Sequence, residues 1–313
     1  MKELKSNSFP IPWYVDDFHK WEDVYTDGNI EFKFNNSKPI LKKDSYVATI
    51  GSCFAQELAS AMNKVGIESS FGKTELLHYN TTSIRQQFQL AYGLWPEYSE
   101  ENIWKVSGGY VHPFYNYYTV YPSVRELEAH AEWISNSYEN TFKSADIIVI
   151  TLGLIECWRN PKTNNVFRNI PRPEVMDEIK PEFFRLTTSQ MMDDLCAIYK
   201  MIKDNNPSAE IVITTSPIPL HNTFTNKDVR IANSESKSRI RATVSEFVEK
   251  YPDVNYMYSY ELVMDAKNKF DYWKDDNRHI HKHAVDYIMS QFIKQFSDGS
   301  VQTPHVDTSW ITK

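Results

Sequence analysis

The sequence has 313 residues, of which 41% are hydrophobic and 24% charged, with a formal net charge of −7 and a pI near 5.8. This composition is typical of globular proteins, so it excludes a mainly disordered chain, and the acidic balance argues against a general nucleic-acid-binding surface. Aromatic residues make up 14% of the chain. They can supply core bulk or line a cleft that stacks on sugars or bases, and composition alone does not choose between these.

Residues 1–44 are polar with scattered aromatic side chains, and we expect these side chains to anchor the stretch on a core. The first secondary-structure elements are predicted after it. The apolar run YVATI at 46–50 ends at Gly51 and predicts a strand. Residues 54–65 then place apolar side chains at helical spacing, and Gly66 follows at a position typical of a helix C-terminus.

Three further apolar runs predict buried strands. DIIVITL at 146–152 is too continuous to be half exposed and indicates a central parallel strand; EIVITT at 210–215 and the run 254–257 follow it. Thr187-x-x-Gln190 has the pattern of a capping box at a helix start. Apolar residues at helical spacing predict helices over 191–202, 240–251 and 284–296.

Strands that alternate with helices imply an α/β fold, a three-layer α/β/α arrangement with a mostly parallel central sheet. In such sheets, ligands bind at the carboxyl ends of the strands. We divide the chain into an N-terminal extension (1–44), one domain (45–297) and a C-terminal tail (298–313). The domain contains a helical insertion at 80–145.

The triplet Gly51-Ser52-Cys53 follows the first predicted strand. A hydroxyl at a strand-to-helix turn is exposed at the edge of the sheet, and the free N–H groups of the helix can stabilise an oxyanion. Serine is also a favoured N-cap, so a purely structural role for Ser52 is the alternative.

The sequence Asp276-Asn277-Arg278-His279 precedes the last predicted helix. A histidine that acts as a general base needs its second ring nitrogen held, usually by a carboxylate, and Asp276 can do this within one turn. The structural alternative is a polar loop that caps the helix. Ser52 after the first strand and Asp-x-x-His before the last helix resemble the motif order of SGNH-type (GDSL-like) esterases and acetyltransferases, whereas the G-x-S-x-G elbow is absent.

The string GSCFA at 51–55 resembles the GSCFA family, which is similar to SGNH hydrolases. The resemblance spans about 45–295 and implies an SGNH-hydrolase-like fold. It also implies a serine esterase or acyltransferase that removes or transfers a small, acetyl-like O-acyl group, with a carbohydrate or glycan precursor as the expected substrate. The alternative is a catalytically degenerate, glycan-binding protein. Further segments similar to the family lie at 78–85, 111–113, 151–158, 215–220, 236–238 and 276–279.

Carried over by position, the resemblance makes Ser52 the nucleophile, His279 the general base and Asp276 its orienting partner. This chain departs from SGNH enzymes at two places. The block that usually supplies an oxyanion-hole Asn is here GLIE at 153–156, without Asn, and Ile280 stands where a proline usually follows the histidine. The missing Asn motivates the glycan-binding alternative.

Because that Asn is missing, other donors must complete an oxyanion hole. Our candidates are the backbone N–H groups of Ser52 and Gly72 and the side-chain amide of Asn80, which lies in the segment after the nucleophile helix.

Four side chains are candidates for substrate binding. Glu156 can bind substrate hydroxyls or hold an Arg or His112 in place, and His112 is either a substrate-side polar group or a core histidine. Trp158 and Trp273 flank two of the predicted site loops and are candidates for stacking on a sugar ring.

Three other patterns suggest rival chemistry. His279, His281 and His283 would share one face of a strand and could bind zinc, but we expect a loop that runs into a helix, and hence no metal. Ser234-x-x-Lys237 matches a penicillin-binding pattern without its companion motifs; we interpret Asn233 and Ser234 as helix caps and expect Lys237 near the site rim. Cys53 is a second potential nucleophile, for which we expect burial.

No cofactor is expected. The three cysteines form no C-x-x-C pair, and neither a signal sequence nor an apolar run long enough for a membrane helix is recognisable. We therefore expect a cytoplasmic protein with a small-molecule or carbohydrate acyl ester as its partner, without nucleic acid or a membrane span. The sequence leaves the oligomeric state open.

Overall fold

The computed structural model describes residues 38–71, 76–94, 103–112, 119–171, 173–264 and 272–303. The strands in these ranges are β1 (Tyr46–Gly51), β2 (Glu68–Ser70), β3 (Trp104–Val106), β4 (Gly109–Val111), β5 (Ile147–Leu152), β6 (Glu156–Arg159), β7 (Glu182–Arg185), β8 (Glu210–Thr215) and β9 (Val254–Met257). The helices are α1 (Cys53–Lys64), α2 (Thr81–Ala91), α3 (Val124–Ser144), α4 (Pro173–Ile179), α5 (Thr188–Asn205), α6 (Val229–Lys250), α7 (Ser259–Met264) and α8 (Lys282–Phe296).

Five strands form one parallel sheet in the order β2-β1-β5-β8-β9. The middle strand, β5, is buried over its whole length, as predicted for the apolar run that contains it. Its β-branched residues suit a strand that is covered on both faces. The predicted α/β class and the parallel central sheet are confirmed.

The two faces of the sheet carry separate hydrophobic cores. Side chains alternate between faces along a strand, and Ile148 and Ile150 of β5 belong to one core while Ile147 and Val149 belong to the other. The first core also contains residues of α2, α3, α5 and α6, and the second contains residues of α1, α7 and α8. The arrangement is a three-layer α/β/α sandwich, as predicted.

Local sequence signals fix several helix starts. The Thr187 hydroxyl accepts a hydrogen bond from Gln190 N at 3.2 Å, and Gln190 Oε1 accepts one from Thr187 N at 3.0 Å, so the predicted capping box is confirmed. These two bonds satisfy N–H groups that have no partner inside the helix.

The start of α6 differs from the prediction. Asp228 caps this helix by accepting a hydrogen bond from Arg230 N at 2.8 Å, and Asn233 and Ser234 lie inside the helix. Their interpretation as caps is therefore wrong. The first turn of α6 carries the apolar side chains Val229 and Ile231 on the exposed surface, and it lacks the regular apolar spacing from which the helix was predicted.

The described ends of the domain meet at α8. The N–H groups of Ile40 and Leu41 donate to the Phe296 carbonyl at 2.9 and 2.8 Å, and Lys43 N donates to the Ser300 hydroxyl at 3.1 Å. The predicted extension and tail otherwise fall on residues 1–37 and 304–313, which lie outside the described residues. The segment 80–145 contributes α2 and α3 to one helical layer, with the pair β3–β4 between them.

Gly51 allows β1 to approach β5 closely. Its φ is +141°, and a Cβ at this position would lie 2.2 Å from the Thr151 carbonyl oxygen and 2.3 Å from the Thr151 hydroxyl. Only glycine adopts this backbone conformation readily, and these contacts are too short for any side chain. Gly51 thus allows the close approach of β1 and β5 at which Ser52 contacts Thr151.

We expect Gly51→Ala to lower the free energy of unfolding by about 3 kcal/mol, since backbone strain and overpacking each cost about 1–3 kcal/mol. Gly66→Ala is the matched control because Gly66 has φ +82° but open space around a Cβ, so about 1–2 kcal/mol is expected. Urea unfolding measures both values. Equal losses would show that the contact with Thr151 does not matter.

Candidate active site

Ser52 lies at the carboxyl end of β1, at the start of α1. It is the N-cap residue, its Oγ accepts a hydrogen bond from Phe54 N at 3.3 Å, and only 2% of the residue is exposed. The residue also lines a cavity of about 250 Å³. Ser52 therefore has the capping role and a place on a cavity wall at once.

Thr151, at the carboxyl end of β5, contacts Ser52 through its hydroxyl. Ser52 N donates to Thr151 Oγ1 at 3.1 Å, and the two hydroxyl oxygens are 3.4 Å apart. The backbone N–H that we considered as an oxyanion donor is therefore engaged with Thr151 in this structure. Sequence analysis gave no role to Thr151, because the contact joins residues 99 positions apart.

Asn80 lines the same cavity and is the N-cap of α2. Its Oδ1 accepts a hydrogen bond from Ser83 N at 2.8 Å, which fixes the orientation of the amide. Consequently Nδ2 is turned away from the helix, and it has no partner among the described residues. A buried side chain with an unused N–H donor in the same cavity as a serine hydroxyl can stabilise negative charge on a bound acyl group.

Gly153 closes the cavity on the side of β5. A Cβ built there would lie 3.6 Å from the Ser52 Cβ and 3.3 Å from the Tyr79 carbonyl oxygen, so the backbone runs directly past the serine. The N–H groups of Gly153 and Leu154 both donate to that carbonyl at 2.9 Å. These bonds connect the loop after β5 to the loop before α2.

Lys237 is buried behind this loop. Its Nζ donates to the Gly153 carbonyl at 2.7 Å, and the neighbouring Ser236 hydroxyl accepts from Ile155 N at 3.1 Å. Burial lowers the pKa of Lys237 to about 7, although the nearby Cys53 partly opposes this shift. Two adjacent residues of α6 thus hold the loop that borders Ser52.

Asp276 and His279 form a hydrogen-bonded pair in the turn before α8. His279 Nδ1 lies 2.6 Å from Asp276 Oδ2, while Asp276 Oδ1 accepts from the N–H groups of Arg278 and His279 at 3.0 and 2.9 Å. These bonds hold the pKa of the Asp276 carboxyl far below its usual range. An ionised Asp276 accepts the Nδ1 proton, which leaves Nε2 as the basic nitrogen of the ring.

The His279 ring does not contact Ser52 in this structure. Its Nε2 lies 3.2 Å from Nη1 of Arg278, and the ring lines a second cavity of about 130 Å³. Cys53 and Ile218 border both cavities, so the two spaces adjoin. The predicted base and the predicted nucleophile are thus in neighbouring cavities, with Arg278 on the wall of the serine cavity.

Cys53 borders the serine cavity but is not suited to act as the nucleophile. We expected Cys53 to be buried, but in the structure it is only partly buried. Burial raises the pKa of its thiol, against the opposing charges of Arg278 and Lys237. A raised pKa keeps the sulfur protonated, and the thiolate is the reactive form.

A model of the GSCFA family matches residues 46–292, well over half of the chain. The chain belongs to the GSCFA family. The match includes Ser52, Asn80, Asp276 and His279, and it ends within α8. A search of curated proteins found no match.

Comparison of the GSCFA protein with solved structures found distant similarities. A protein described as a GDSL-like lipase, from Parabacteroides merdae ATCC 43184, is 14% identical with a TM-score of 0.39, covering 82% of this chain and 98% of its own. The lipase Lip_vut3 from a goat rumen metagenome is 10% identical (TM-score 0.34; 82% and 99% covered). An acetyl xylan esterase, Est2A, from the rumen bacterium Butyrivibrio proteoclasticus is 10% identical (TM-score 0.32; 69% and 55% covered).

Of the four predicted substrate-binding residues of the GSCFA protein, two line the serine cavity among the described residues. Glu156 and Trp158 line the serine cavity, but both oxygens of Glu156 already accept hydrogen bonds, from the Thr223 hydroxyl at 2.5 Å and Phe224 N at 2.9 Å. Trp158 packs edge-to-face against Phe224, with 5.3 Å between ring centroids, and both rings face the cavity.

The other candidates lie elsewhere. His112 is buried, and burial lowers its pKa to about 3; neither it nor Trp273 is among the described residues that line the serine cavity. Trp273 packs against the core under α8. Gly72, the third oxyanion candidate, lies outside the described residues.

The cavity has a cation that sequence analysis missed. Arg168 lines it and is only 7% exposed. It follows β6 in an irregular segment, and no motif of the sequence marks it. Only the fold shows that this arginine and Ser52, 116 positions apart, border the same space.

The histidines after Asp276 do not form a metal centre. His281 and His283 lie at the start of α8 with their rings stacked at 5.1 Å. Within the described ranges, no group of three or more His, Cys, Asp or Glu side chains has the geometry to hold a metal ion. In the same ranges, no helix has the length and apolar character needed to cross a bilayer.

The buried charge of Lys237 predicts a specific pH dependence of stability. Because its folded pKa of about 7 lies below its usual 10.5, the unfolded chain binds more protons between these values, and folding becomes more favourable as the pH rises. We expect the stability of the wild type relative to Lys237→Met to increase from pH 7 to 9 by up to about 1.4 kcal/mol per pH unit.

Urea unfolding at pH 6, 7, 8 and 9 tests this expectation. Lys200→Met is the matched control, because the Lys200 side chain is 74% exposed and its removal should change stability by the same amount at each pH. A constant difference between wild type and Lys237→Met would contradict a buried, titrating ammonium.

Proposed function

We propose that this GSCFA protein is a serine esterase or O-acyltransferase of SGNH type that acts on a small acyl group carried by a carbohydrate. The observation that carries the proposal is that the Ser52 hydroxyl and the Asn80 amide line one cavity. The hydrogen-bonded Asp276–His279 pair beside the adjoining cavity supplies a base of the required tautomer.

The proposed reaction proceeds in two acyl-transfer steps. Ser52 Oγ attacks the ester carbonyl while His279 Nε2 takes the hydroxyl proton, and the Asn80 amide donates to the resulting oxyanion. The C–O bond to the leaving alcohol then breaks as His279 returns the proton to that oxygen. Water or a sugar hydroxyl attacks the acyl-enzyme by the same route, loses its proton to His279 and regenerates Ser52.

This reaction requires a rearrangement at His279. In the structure its Nε2 contacts Arg278, so the ring must exchange this contact for one with Ser52 before the proton can transfer. Active-site hydrogen bonds are often long or absent without substrate and form only in the bound complex. Ser52 and His279 line two cavities that share Cys53 and Ile218 as wall residues. The proposed movement of the His279 ring is therefore a local rearrangement.

The size and walls of the cavity support a small acyl group on a ring-shaped alcohol. About 250 Å³ is slightly below the usual size of ligand pockets, roughly 300–1,000 Å³, and suits an acetyl group better than a long acyl chain. The Trp158 and Phe224 rings supply an apolar surface against which a sugar ring can pack.

The proposal is tested with 4-nitrophenyl acetate, butyrate and octanoate, followed by acetylated glucose with and without free sugar as acceptor. We expect kcat/KM to fall with acyl length. Mass spectrometry of the products separates the two reactions: free acetate marks a hydrolase, and acetylation of the acceptor marks a transferase. Failure to turn over any of these esters would count against the proposal.

We expect Asn80→Asp to lower kcat by about 10²–10³-fold, the usual effect of removing one oxyanion donor. The aspartate can still accept the capping hydrogen bond from Ser83 N, so the helix keeps its cap while the donor is lost. Ser123→Ala is the control: it removes the cap of α3 and should cost stability but not activity. An active Asn80→Asp would remove Asn80 from the mechanism.

Glycan binding without turnover is the second candidate function. It is favoured by the contact of His279 with Arg278 instead of Ser52. In that case calorimetry would detect a sugar ligand for the wild type, and Trp158→Ala would weaken binding while no ester is consumed.

A further inference from the structure

Arg278 lies on the wall of the serine cavity, beside a residue that lines the second cavity. It lines the serine cavity, it directly precedes His279, and its Nη1 is 3.2 Å from His279 Nε2. The preceding residue, Asn277, has φ +54°, so the chain turns sharply here. The turn brings the guanidinium to the wall of the space in which a substrate of Ser52 would lie.

The Arg278 guanidinium has no carboxylate partner in the described part of the chain. Its Nε is buried and makes no hydrogen bond there, and its one side-chain contact is to the imidazole of His279. Asp276, two residues earlier, uses its oxygens for backbone N–H groups and for the His279 ring. A buried guanidinium N–H without a partner costs free energy, which an incoming acceptor would recover.

The described side chains that line the serine cavity carry a surplus of positive charge. Apart from His221, the charged ones among them are Arg168, Arg278 and Glu156, and Glu156 already accepts hydrogen bonds from Thr223 and Phe224. The surplus of positive charge contrasts with the net charge of −7 of the chain. Positive charge concentrated in one cleft of an acidic protein favours an anionic ligand there.

The guanidinium offers two parallel N–H donors that match a carboxylate or phosphate. We propose that the ester substrate of Ser52 carries an anionic group, a carboxylate or a phosphate, that binds Arg278 in the serine cavity. This inference rests on the proposed esterase or transferase function. An anion held by Arg278 competes with the Nη1–His279 contact and so leaves Nε2 accessible to Ser52.

Three aryl acetates that differ only in the para substituent test the inference: neutral 4-acetoxybenzamide, 4-acetoxybenzoate and 4-acetoxyphenyl phosphate. Rates are divided by those of hydroxide hydrolysis to remove differences in reactivity. We expect kcat/KM of the wild type to be at least about tenfold higher for one anionic ester than for the amide, a typical effect of a charge-assisted contact. The better of the two anionic esters identifies the group.

In Arg278→Gln this preference should fall to about one. Arg230→Gln is the control, since the Arg230 side chain is 87% exposed and does not line the cavity, and its preference should equal that of the wild type. Equal turnover of all three esters by the wild type, or a preference that survives in Arg278→Gln, would overturn the inference while leaving the proposed function intact.

Binding measurements separate this result from failure of the esterase itself. Calorimetry with Ser52→Ala should show tighter binding of the anionic ester than of 4-acetoxybenzamide, and this difference should vanish in Ser52→Ala/Arg278→Gln. If no ester is turned over but binding depends on Arg278, the proposed function fails and the anion site remains. If binding does not depend on Arg278, the anion site is excluded.

Discussion

Replacing Ser52 with alanine is expected to lower kcat for 4-nitrophenyl acetate by at least about 10⁴-fold, because the nucleophile and the covalent intermediate are lost. The rest of the cavity should remain, since the variant loses the cap contact with Phe54 N, a change worth about 1 kcal/mol, and a 3.4 Å contact with the Thr151 hydroxyl. Circular dichroism and urea unfolding confirm the fold, and initial rates measure the loss.

Cys53→Ala is the matched control for this experiment. It removes a single heteroatom from the next residue on the same cavity wall, where the protonated thiol has no role in the proposed reaction. We expect kcat to change by less than about tenfold. The reverse outcome, with Ser52→Ala active and Cys53→Ala inactive, would assign the nucleophile to the cysteine.

The second large effect is expected at Asp276. Asp276→Asn should lower kcat by about 10⁴-fold, since an amide that donates to His279 Nδ1 moves the ring proton to Nε2 and removes the base. The asparagine Oδ1 can still accept from the N–H groups of Arg278 and His279, so the turn keeps its shape. The loss should appear in kcat more than in KM, because substrate contacts are unchanged.

Asp275→Asn provides the control. Asp275 is exposed, and its side chain makes no contact with His279. This variant removes the same charge from the adjacent position and should retain wild-type kcat. Similar losses in both variants would indicate a general effect of charge on the turn, and retained activity in Asp276→Asn would contradict the proposed role of the pair.

Much of the fold could be predicted because its signals are local. The β-branched run of β5 indicates a strand buried on both faces, and Thr187 with Gln190 satisfies the first N–H groups of α5 within three residues. The start of α6 could not be predicted because Val229 and Ile231, which follow its cap Asp228, are exposed and do not continue the apolar spacing of the rest of the helix.

In the candidate site, too, the contacts between residues near in sequence could be predicted and those between distant residues could not. The pairing of Asp276 with His279 is within one turn, so its hydrogen bond could be predicted from the spacing, as could the position of Ser52 at a strand end. The contacts of Thr151 with Ser52 and of Lys237 with Gly153 join residues 99 and 84 positions apart. No local pattern encodes contacts of this kind, because they arise only when strands and helices pack.

The place of Arg278 on the cavity wall could also be found only from the structure. The sequence places it beside His279, but its orientation toward the serine cavity depends on the turn at Asn277 and on where α8 packs. This one side chain contacts His279 Nε2 and also carries the proposed anionic substrate.

Covalent labelling with a fluorophosphonate probe, followed by peptide mapping, tests the central claim most directly. The probe phosphonylates a serine only where a base and an oxyanion hole activate it. We predict a single adduct on Ser52 of the wild type, no adduct in Ser52→Ala, and much slower labelling in Asp276→Asn. A folded protein that remains unlabelled at Ser52, or that is labelled equally fast in Asp276→Asn, would contradict the account.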